Sequence, residues 1–158
     1  MTIHPKVKTC LWYDTQALEA AEFYCSLIPD SRVDQVGRYP EGQEMAEAGK
    51  VLMVEFTLAG TPYQALNGGT YFTLSEAVSV SVSTQDQAET DRLWAALTAD
   101  GGAESQCGWL KDKFGLSWQI VPKRSVELIT GPHAARVWPV LMQMQKIDIA
   151  ALEAAAAG

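Results

Sequence analysis

A short segment of this sequence occurs twice with its apolar pattern preserved, and this repeat restricts the folds that the chain can adopt. Glu19–Leu27 (EAAEFYCSL) is matched by Glu89–Leu97 (ETDRLWAAL) seventy residues later, and the aromatic Tyr24 is matched by the aromatic Trp94. Apolar side chains recur every three or four residues in both copies, which is the period of an amphipathic helix. The repeat therefore predicts two similar modules, each with one helix.

The strands around this helix repeat as well. The same offset of 70 residues aligns Val7–Tyr13 with Ala77–Ser83 without a gap. Gly60–Leu66 resembles Gly115–Val121 at an offset of 55 residues, so the first copy holds 15 extra residues, mostly in the polar loop 40–50. Valines alternate with small residues in Ala77–Ser83, which predicts a strand with one apolar face.

Each copy is therefore predicted to contain a strand, a helix and three further strands. The predicted strands are Val7–Tyr13, Arg32–Tyr39, Val51–Leu58, Thr61–Leu66, Ala77–Ser83 and Ser117–Val121, and the helices are Thr15–Leu27, Gln85–Ala99, Pro132–Gln145 and one from Asp148. This order predicts an α+β fold, in which two βαβββ modules form curved sheets around a cleft, with C-terminal helices. The predicted modules are 1–73 and 74–122, followed by a helical segment, 123–158. Between two short strands, Lys111-Asp112-Lys113 is predicted to be a solvated turn.

A single module cannot cover the apolar face of its own sheet. Two modules are expected to pair within the chain or to exchange strands with a second chain, so we expect a homodimer.

The charge balance excludes some classes of partner. The chain carries a net charge of −7 and no basic run, so neither nucleic acid nor an anionic membrane surface is an expected partner. No apolar run is long enough to span a membrane, and MTIHPKVK lacks the apolar core of a signal peptide. Three widely spaced cysteines then indicate free thiols and a cytoplasmic protein.

Three stretches of the sequence match one known family. They are LWYD at 11–14 followed by Ala20, Phe23 and Tyr24, then ALNGG at 65–69, and finally QCGWLKDKFGLSWQ at 106–119. Together they resemble the PhnB-like branch of the vicinal-oxygen-chelate (glyoxalase/bleomycin-resistance) superfamily, and the likeness covers about residues 5–153. That branch is often labelled 3-demethylubiquinone-9 3-methyltransferase. A Rossmann-type methyltransferase needs a glycine-rich strand-to-helix loop, and neither Gly68-Gly69 nor Gly101-Gly102 is predicted to lie in one.

The resemblance implies four positions at which metal-using members of the superfamily hold their metal ion. Here these positions carry Val7, Gln64, Ala77 and Gln119. Aliphatic side chains cannot coordinate a metal, and neutral amides are weak ligands for zinc, iron or manganese. His4 and His133 are interpreted as surface or capping residues. We therefore predict no conventional metal site and no cofactor.

Strand parity predicts which side chains share the cleft with these positions. Residues two apart in a strand lie on one face, and an even-numbered hairpin loop places Glu55 on the face of Gln64. Glu55 is the one predicted catalytic residue, as a general base. The predicted substrate-binding residues are Thr9, Gln64, Ser79, Ser81 and Gln119. Leu11 and Ser83 are predicted to share the same face. Also open are a structural or solvated role for Glu55 and a hydrated surface or subunit contact at the serines.

Two kinds of function fit these residues. One is a metal-independent module that binds an unknown small molecule in a polar cleft. The other is an enzyme, either metal-dependent through unexpected ligands or acid–base through Glu55. A third interpretation is a protein whose main role is assembly with itself.

Overall fold

The computed structural model describes residues 5–44 and 46–158, so His4 lies outside the described residues. The chain divides into two compact units, Met1–Leu74 and Ser75–Gly158. Within the described ranges, no helix is long and apolar enough to cross a membrane.

The first unit is one helix on one four-stranded sheet. Its elements are β1 (Thr9–Tyr13), α1 (Ala17–Leu27), β2 (Arg32–Arg38), β3 (Val51–Leu58) and β4 (Thr61–Asn67). The strand order is β1-β4-β3-β2, with β1 and β4 parallel and the other pairs antiparallel. The strand predicted at 51–58 is confirmed at both ends, whereas β1 begins two residues later than predicted.

Helix α1 packs its small residues against the sheet, and this contact forms the core of the first unit. The buried side of the helix consists of Ala17, Ala20, Ala21 and Tyr24. The buried side of the sheet consists of Leu11, Val54, Phe56 and Ala65. Complete burial of each large side chain contributes about 1.5–3 kcal/mol.

The second unit repeats this arrangement. Its elements are β5 (Ser79–Thr84), α2 (Gln87–Thr98), β6 (Ala103–Glu104), β7 (Trp109–Lys111) and β8 (Ser117–Pro122). The strand order is β5-β8-β7-β6, again with the first pair parallel. Asp86 caps α2 by accepting a 2.9 Å hydrogen bond from the backbone N–H of Glu89, and Glu89 accepts one from the N–H of Gln85.

Three C-terminal helices belong to the second unit: α3 (Lys123–Thr130), α4 (Ala134–Leu141) and α5 (Ile149–Ala157). Helix α3 was not predicted, because Pro122 reads as a stop, whereas Pro122 in fact precedes its first turn. The helix predicted over 132–145 is shorter, and its last residues bind the β6–β7 loop instead. The N–H groups of Cys107 and Gly108 donate to the carbonyls of Met144 and Gln145, both at 2.8 Å.

The turn after β7 is organised by a buried carboxylate, so the prediction that all of 111–113 is solvated was wrong. Asp112 is 2% exposed. Its Oδ1 accepts from the backbone N–H groups of Phe114 and Leu116, at 2.8 and 3.1 Å. Its Oδ2 accepts from the indole N–H of Trp118 at 2.8 Å. The described residues form an α+β fold with two mixed four-stranded sheets and C-terminal helices.

Replacing Asp112 is expected to destabilise the second unit. Asp112→Ala leaves three donors without their acceptor, so we expect the free energy of unfolding to fall by about 3 kcal/mol. Urea denaturation followed by tryptophan fluorescence measures this loss. The matched control is Lys113→Ala, at the exposed neighbour, with an expected change within about 0.5 kcal/mol. Equal effects of the two substitutions would contradict this account of the turn.

Candidate functional site

The strand register of the first sheet brings two polar side chains and a cysteine into one row. Glu55 of β3 lies directly across from Gln64 of β4, and Gln64 lies across from Cys10 of β1. Their neighbours along the strands, including Leu11 and Val54, are buried on the side of α1. The row therefore lies on the opposite face, which we call the far face of the sheet.

Lys8, just before β1, completes this row. Its Nζ lies 2.7 Å from Oε1 of Glu55, and Nε2 of Gln64 donates to the same oxygen at 3.2 Å. The Lys8 and Glu55 side chains are only 15% and 26% exposed. We call Lys8, Glu55 and Gln64 the polar cluster. In this cluster an ammonium and an amide both donate to the same carboxylate oxygen.

The predicted face of β1 was wrong by one residue. Cys10, rather than Thr9, lies beside Gln64, because Thr9 pairs with Tyr63. Leu11, which was also expected on the far face, is 3% exposed in the core against α1. Lys8 and Cys10 therefore lie on the face that was predicted for Thr9 and Leu11. The placement of Glu55 across from Gln64 agrees with the hairpin parity.

The predicted face of β1 was wrong because the first strands of the two copies do not repeat at the same offset as the helices. Gln64 and Gln119 are equivalent, and they lie across from Cys10 and Ser81. The parallel strands therefore repeat at 71 residues, whereas the helices repeat at 70. The strand-to-helix connection is one residue shorter in the second copy, with two residues between β5 and α2 against three between β1 and α1.

The corresponding row of the second sheet is neutral. Gln119 lies across from Ser81 and Trp109, and its Nε2 donates to Oγ of Ser79 at 2.9 Å. Ser117 is two residues away on the same strand and is 1% exposed, and its Oγ has no hydrogen-bond partner among the described residues. Ser79 takes the position that Lys8 has in the first unit. Ser79, Ser81 and Gln119 share a face, as the alternation predicted.

Two of the four positions implied for metal ligands lie outside the strands. Val7 is 81% exposed and precedes β1, and Ala77 precedes β5. Among residues 5–44 and 46–158, no group of three or more His, Cys, Asp or Glu side chains could hold a metal ion. Beside Gln64 lie the Glu55 carboxylate, which is bound to the Lys8 ammonium, and the single thiol of Cys10. Beside Gln119 lie serine hydroxyls, which are poor ligands for zinc or iron.

Cys10 is an exposed residue beside the polar cluster. Partial burial of its sulfur disfavours the thiolate and raises the pKa of the Cys10 thiol. Alkylation is therefore slower at neutral pH than for an ordinary cysteine, and it accelerates as the pH rises towards the higher pKa. The thiol can report on the occupancy of the neighbouring site.

A cavity of about 430 Å³ lies elsewhere in the second unit, among α3, α4 and α5. Arg124 at its wall is bound to Glu127 and Glu153, at 2.8 and 2.9 Å. Arg124 is therefore already paired with both of these carboxylates.

Solved structures share this fold. A putative 3-demethylubiquinone-9 3-methyltransferase, PhnB protein, from Bacillus cereus is 30% identical, with a TM-score of 0.67, over 75% of this chain and 99% of that one. The protein PA1353 from Pseudomonas aeruginosa is 18% identical, with a TM-score of 0.61, over 75% and 98%. No curated protein matches the chain.

These likenesses define a glyoxalase-type fold with two βαβββ units. The model of the 3-demethylubiquinone-9 3-methyltransferase family matches residues 5–121. The chain belongs to this family, which is the PhnB-like branch of the vicinal-oxygen-chelate superfamily. The match ends before α3, so the C-terminal helices lie outside the family core.

The Lys8–Glu55 pair is expected to contribute measurably to stability, because both side chains are mostly buried. A double-mutant cycle with Lys8→Met and Glu55→Gln should give a coupling energy of about 1 kcal/mol in the free energy of unfolding. The exposed pair Lys50–Glu47 is the control, with an expected coupling of about 0.3 kcal/mol. Equal coupling in the two pairs would show that the Lys8–Glu55 pair is no stronger than a solvated contact.

Proposed function

We propose that this chain binds a small molecule at the far face of its first sheet, through the polar cluster. The observation that carries this proposal is the linked contact of Lys8, Glu55 and Gln64 on a mostly buried surface. Removing two charges from water costs several kcal/mol, and apolar side chains would fill such a position at lower cost. A few convergent polar groups on a concave or apolar surface are typical of ligand sites.

We propose a second binding surface on the sheet of the second unit. Ser79, Ser81 and Gln119 form the equivalent row there, and they offer hydroxyl and amide groups without charge. We assign these three residues to contacts with a ligand on that sheet. Thr9 is not included, because its register places it off the far face.

The proposed binding is independent of a metal ion. The Lys8 ammonium lies 2.7 Å from the carboxylate oxygen that would be the first ligand. A divalent cation at that oxygen would have to displace the ammonium, and Gln64, the other side chain bound to that oxygen, is a weak amide ligand.

Catalysis is the alternative function. Glu55 could act on a substrate proton once a ligand displaces Lys8 or Gln64 from Oε1. Glu55→Gln separates the two functions, because a binding protein turns over no ligand in either form. Loss of turnover with binding retained would establish the enzyme.

The methyltransferase name of the family receives no support from the glycine pairs. Gly68-Gly69 follows β4 and precedes an irregular segment, and Gly101-Gly102 follows α2. Neither pair connects a strand to a helix, which is the arrangement that cradles a nucleotide-type cofactor.

The proposal predicts that small polar and aromatic compounds stabilise the chain and protect Cys10. A thermal-shift screen identifies binders, and iodoacetamide labelling followed by peptide mass spectrometry then locates the site. Labelling of Cys10 should fall in the presence of a binder, whereas labelling of Cys25 should not change. Dialysis against EDTA should alter neither the melting temperature nor the protection.

Substitutions then test the individual residues. Gln64→Leu is expected to weaken a binder about three- to tenfold, because one hydrogen bond contributes about 0.5–1.5 kcal/mol. Thr9→Val is the matched control in the neighbouring strand, with no expected change. A screen without binders would overturn the proposal, as would binders that leave Cys10 unprotected.

We also propose that the chain works as a homodimer. Each sheet ends in edge strands, β1 and β2 in one and β5 and β6 in the other, and edge strands are where a second chain can pair. Size-exclusion chromatography with light scattering should give twice the chain mass of 17.2 kDa. A mass of one chain would contradict the dimer.

The setting that we propose is the cytoplasm. Cys10, Cys25 and Cys107 are all free thiols, which suits a reducing compartment.

A further inference from the structure

The far face of the first sheet has a second row of side chains next to the polar cluster. Trp12, Leu66 and Met53 lie across from one another on β1, β4 and β3. They lie two residues along their strands from Cys10, Gln64 and Glu55. All three therefore lie on the far face, about 7 Å from the row that those residues form. A polar row and an apolar row therefore lie side by side on one surface.

The indole of Trp12 is held in one orientation by its surroundings. Its N–H donates to the carbonyl of Gly69 at 2.8 Å. The backbone at Gly68 lies against the ring so closely that a Cβ there would collide with it. The ring of Phe72 meets it edge-on, with centroids 4.8 Å apart and planes at 75°. A fixed aromatic surface of this kind can receive a flat ring without loss of side-chain entropy.

Phe72 is 68% exposed although its ring contacts Trp12. The exposed part of the Phe72 ring and the partly buried indole are adjacent apolar surfaces that a ligand ring can contact. Aromatic groups prefer such edge-to-face and offset arrangements to other contacts.

The charges of the polar cluster restrict the other end of the ligand. Lys8 and Glu55 neutralise one another, so a charged ligand group is attracted by one of them and repelled by the other. A neutral group that both donates and accepts meets no such repulsion, because Lys8 and Gln64 are donors and Glu55 is an acceptor. A primary amide or a hydroxyl has this chemistry.

We propose that the ligand of the far face is a neutral compound with a planar aromatic ring and a donor–acceptor head, such as an amide or a hydroxyl. The head binds Lys8, Glu55 and Gln64, and the ring packs against Trp12 and Phe72. The inference rests on the proposed function, since it specifies the ligand class of the same site.

Four probe compounds test this ligand class. They are 3-phenylpropanamide, its saturated analogue 3-cyclohexylpropanamide, the ring-free propanamide and the charged 3-phenylpropanoate. Each is titrated into the ¹⁵N-labelled full chain, and the indole N–H of Trp12 and the side-chain amide of Gln64 are followed by NMR. Trp12→Phe and Gln64→Leu assign these two signals.

We expect 3-phenylpropanamide to shift both signals. The cyclohexyl analogue should bind about two- to tenfold more weakly, because an aromatic contact is worth about 0.5–1.5 kcal/mol beyond its area. The phenylpropanoate should also bind more weakly than the amide. Equal binding of the phenyl and cyclohexyl amides, or tighter binding of the propanoate, would overturn the ligand class.

The outcomes separate this inference from the proposed function. If propanamide shifts Gln64 as strongly as the phenyl compound does, and Trp12 does not respond, the ligand class is wrong and the binding site remains. If no probe shifts either signal, and the wider screen finds no binder that protects Cys10, both proposals fail.

A matched pair of variants adds a second test. Phe72→Ala should weaken 3-phenylpropanamide about two- to tenfold and leave propanamide unchanged. Tyr71→Ala is the control, because Tyr71 is the adjacent aromatic residue and is 85% exposed. Circular dichroism confirms that both variants are folded. Equal effects of the two variants would contradict the role of Phe72.

Discussion

The parallel pairing of β1 with β4 is the constraint on which the candidate site depends. It sets Cys10 across from Gln64, and the antiparallel hairpin then sets Gln64 across from Glu55. Because side chains alternate between the faces of a sheet, the same register sends Leu11 into the core and Lys8 towards Glu55. The packing of α1 stabilises this register, since a shift by one residue would place Leu11 on the far face and a polar residue against the helix.

The two units carry different chemistry on one plan. The row beside Gln64 holds an ion pair, whereas the row beside Gln119 holds serine hydroxyls and an indole. A duplicated fold can diverge in this way because the helix side of each sheet carries the stability, which leaves the far face free to change. The C-terminal helices extend the second unit beyond the family core, and their loop is bound through the backbone of Cys107 and Gly108.

Much of the fold could be predicted from the sequence, where local patterns were unambiguous. Val51–Leu58 is bounded by a polar loop and a glycine turn, and its predicted ends match the structure. The alternating valines and serines of β5 placed Ser79 and Ser81 on the face of Gln119. Asp112 shows the opposite case, because a carboxylate between two lysines resembles a solvated turn until Trp118 and two backbone N–H groups are seen to surround it.

The sequence by itself determined the doubled βαβββ plan, the family, and the hairpin that sets Glu55 beside Gln64. It could not determine the face of β1, since Cys10, Leu11, Trp12 and Tyr13 are all apolar or aromatic and show no period of two. Only the tertiary structure decided that register, by burying Leu11 and Tyr13 under α1 and leaving Cys10 and Trp12 on the other side. The physical reason is that a one-residue shift reverses every side chain of a strand, and long-range packing selects between the two alternatives.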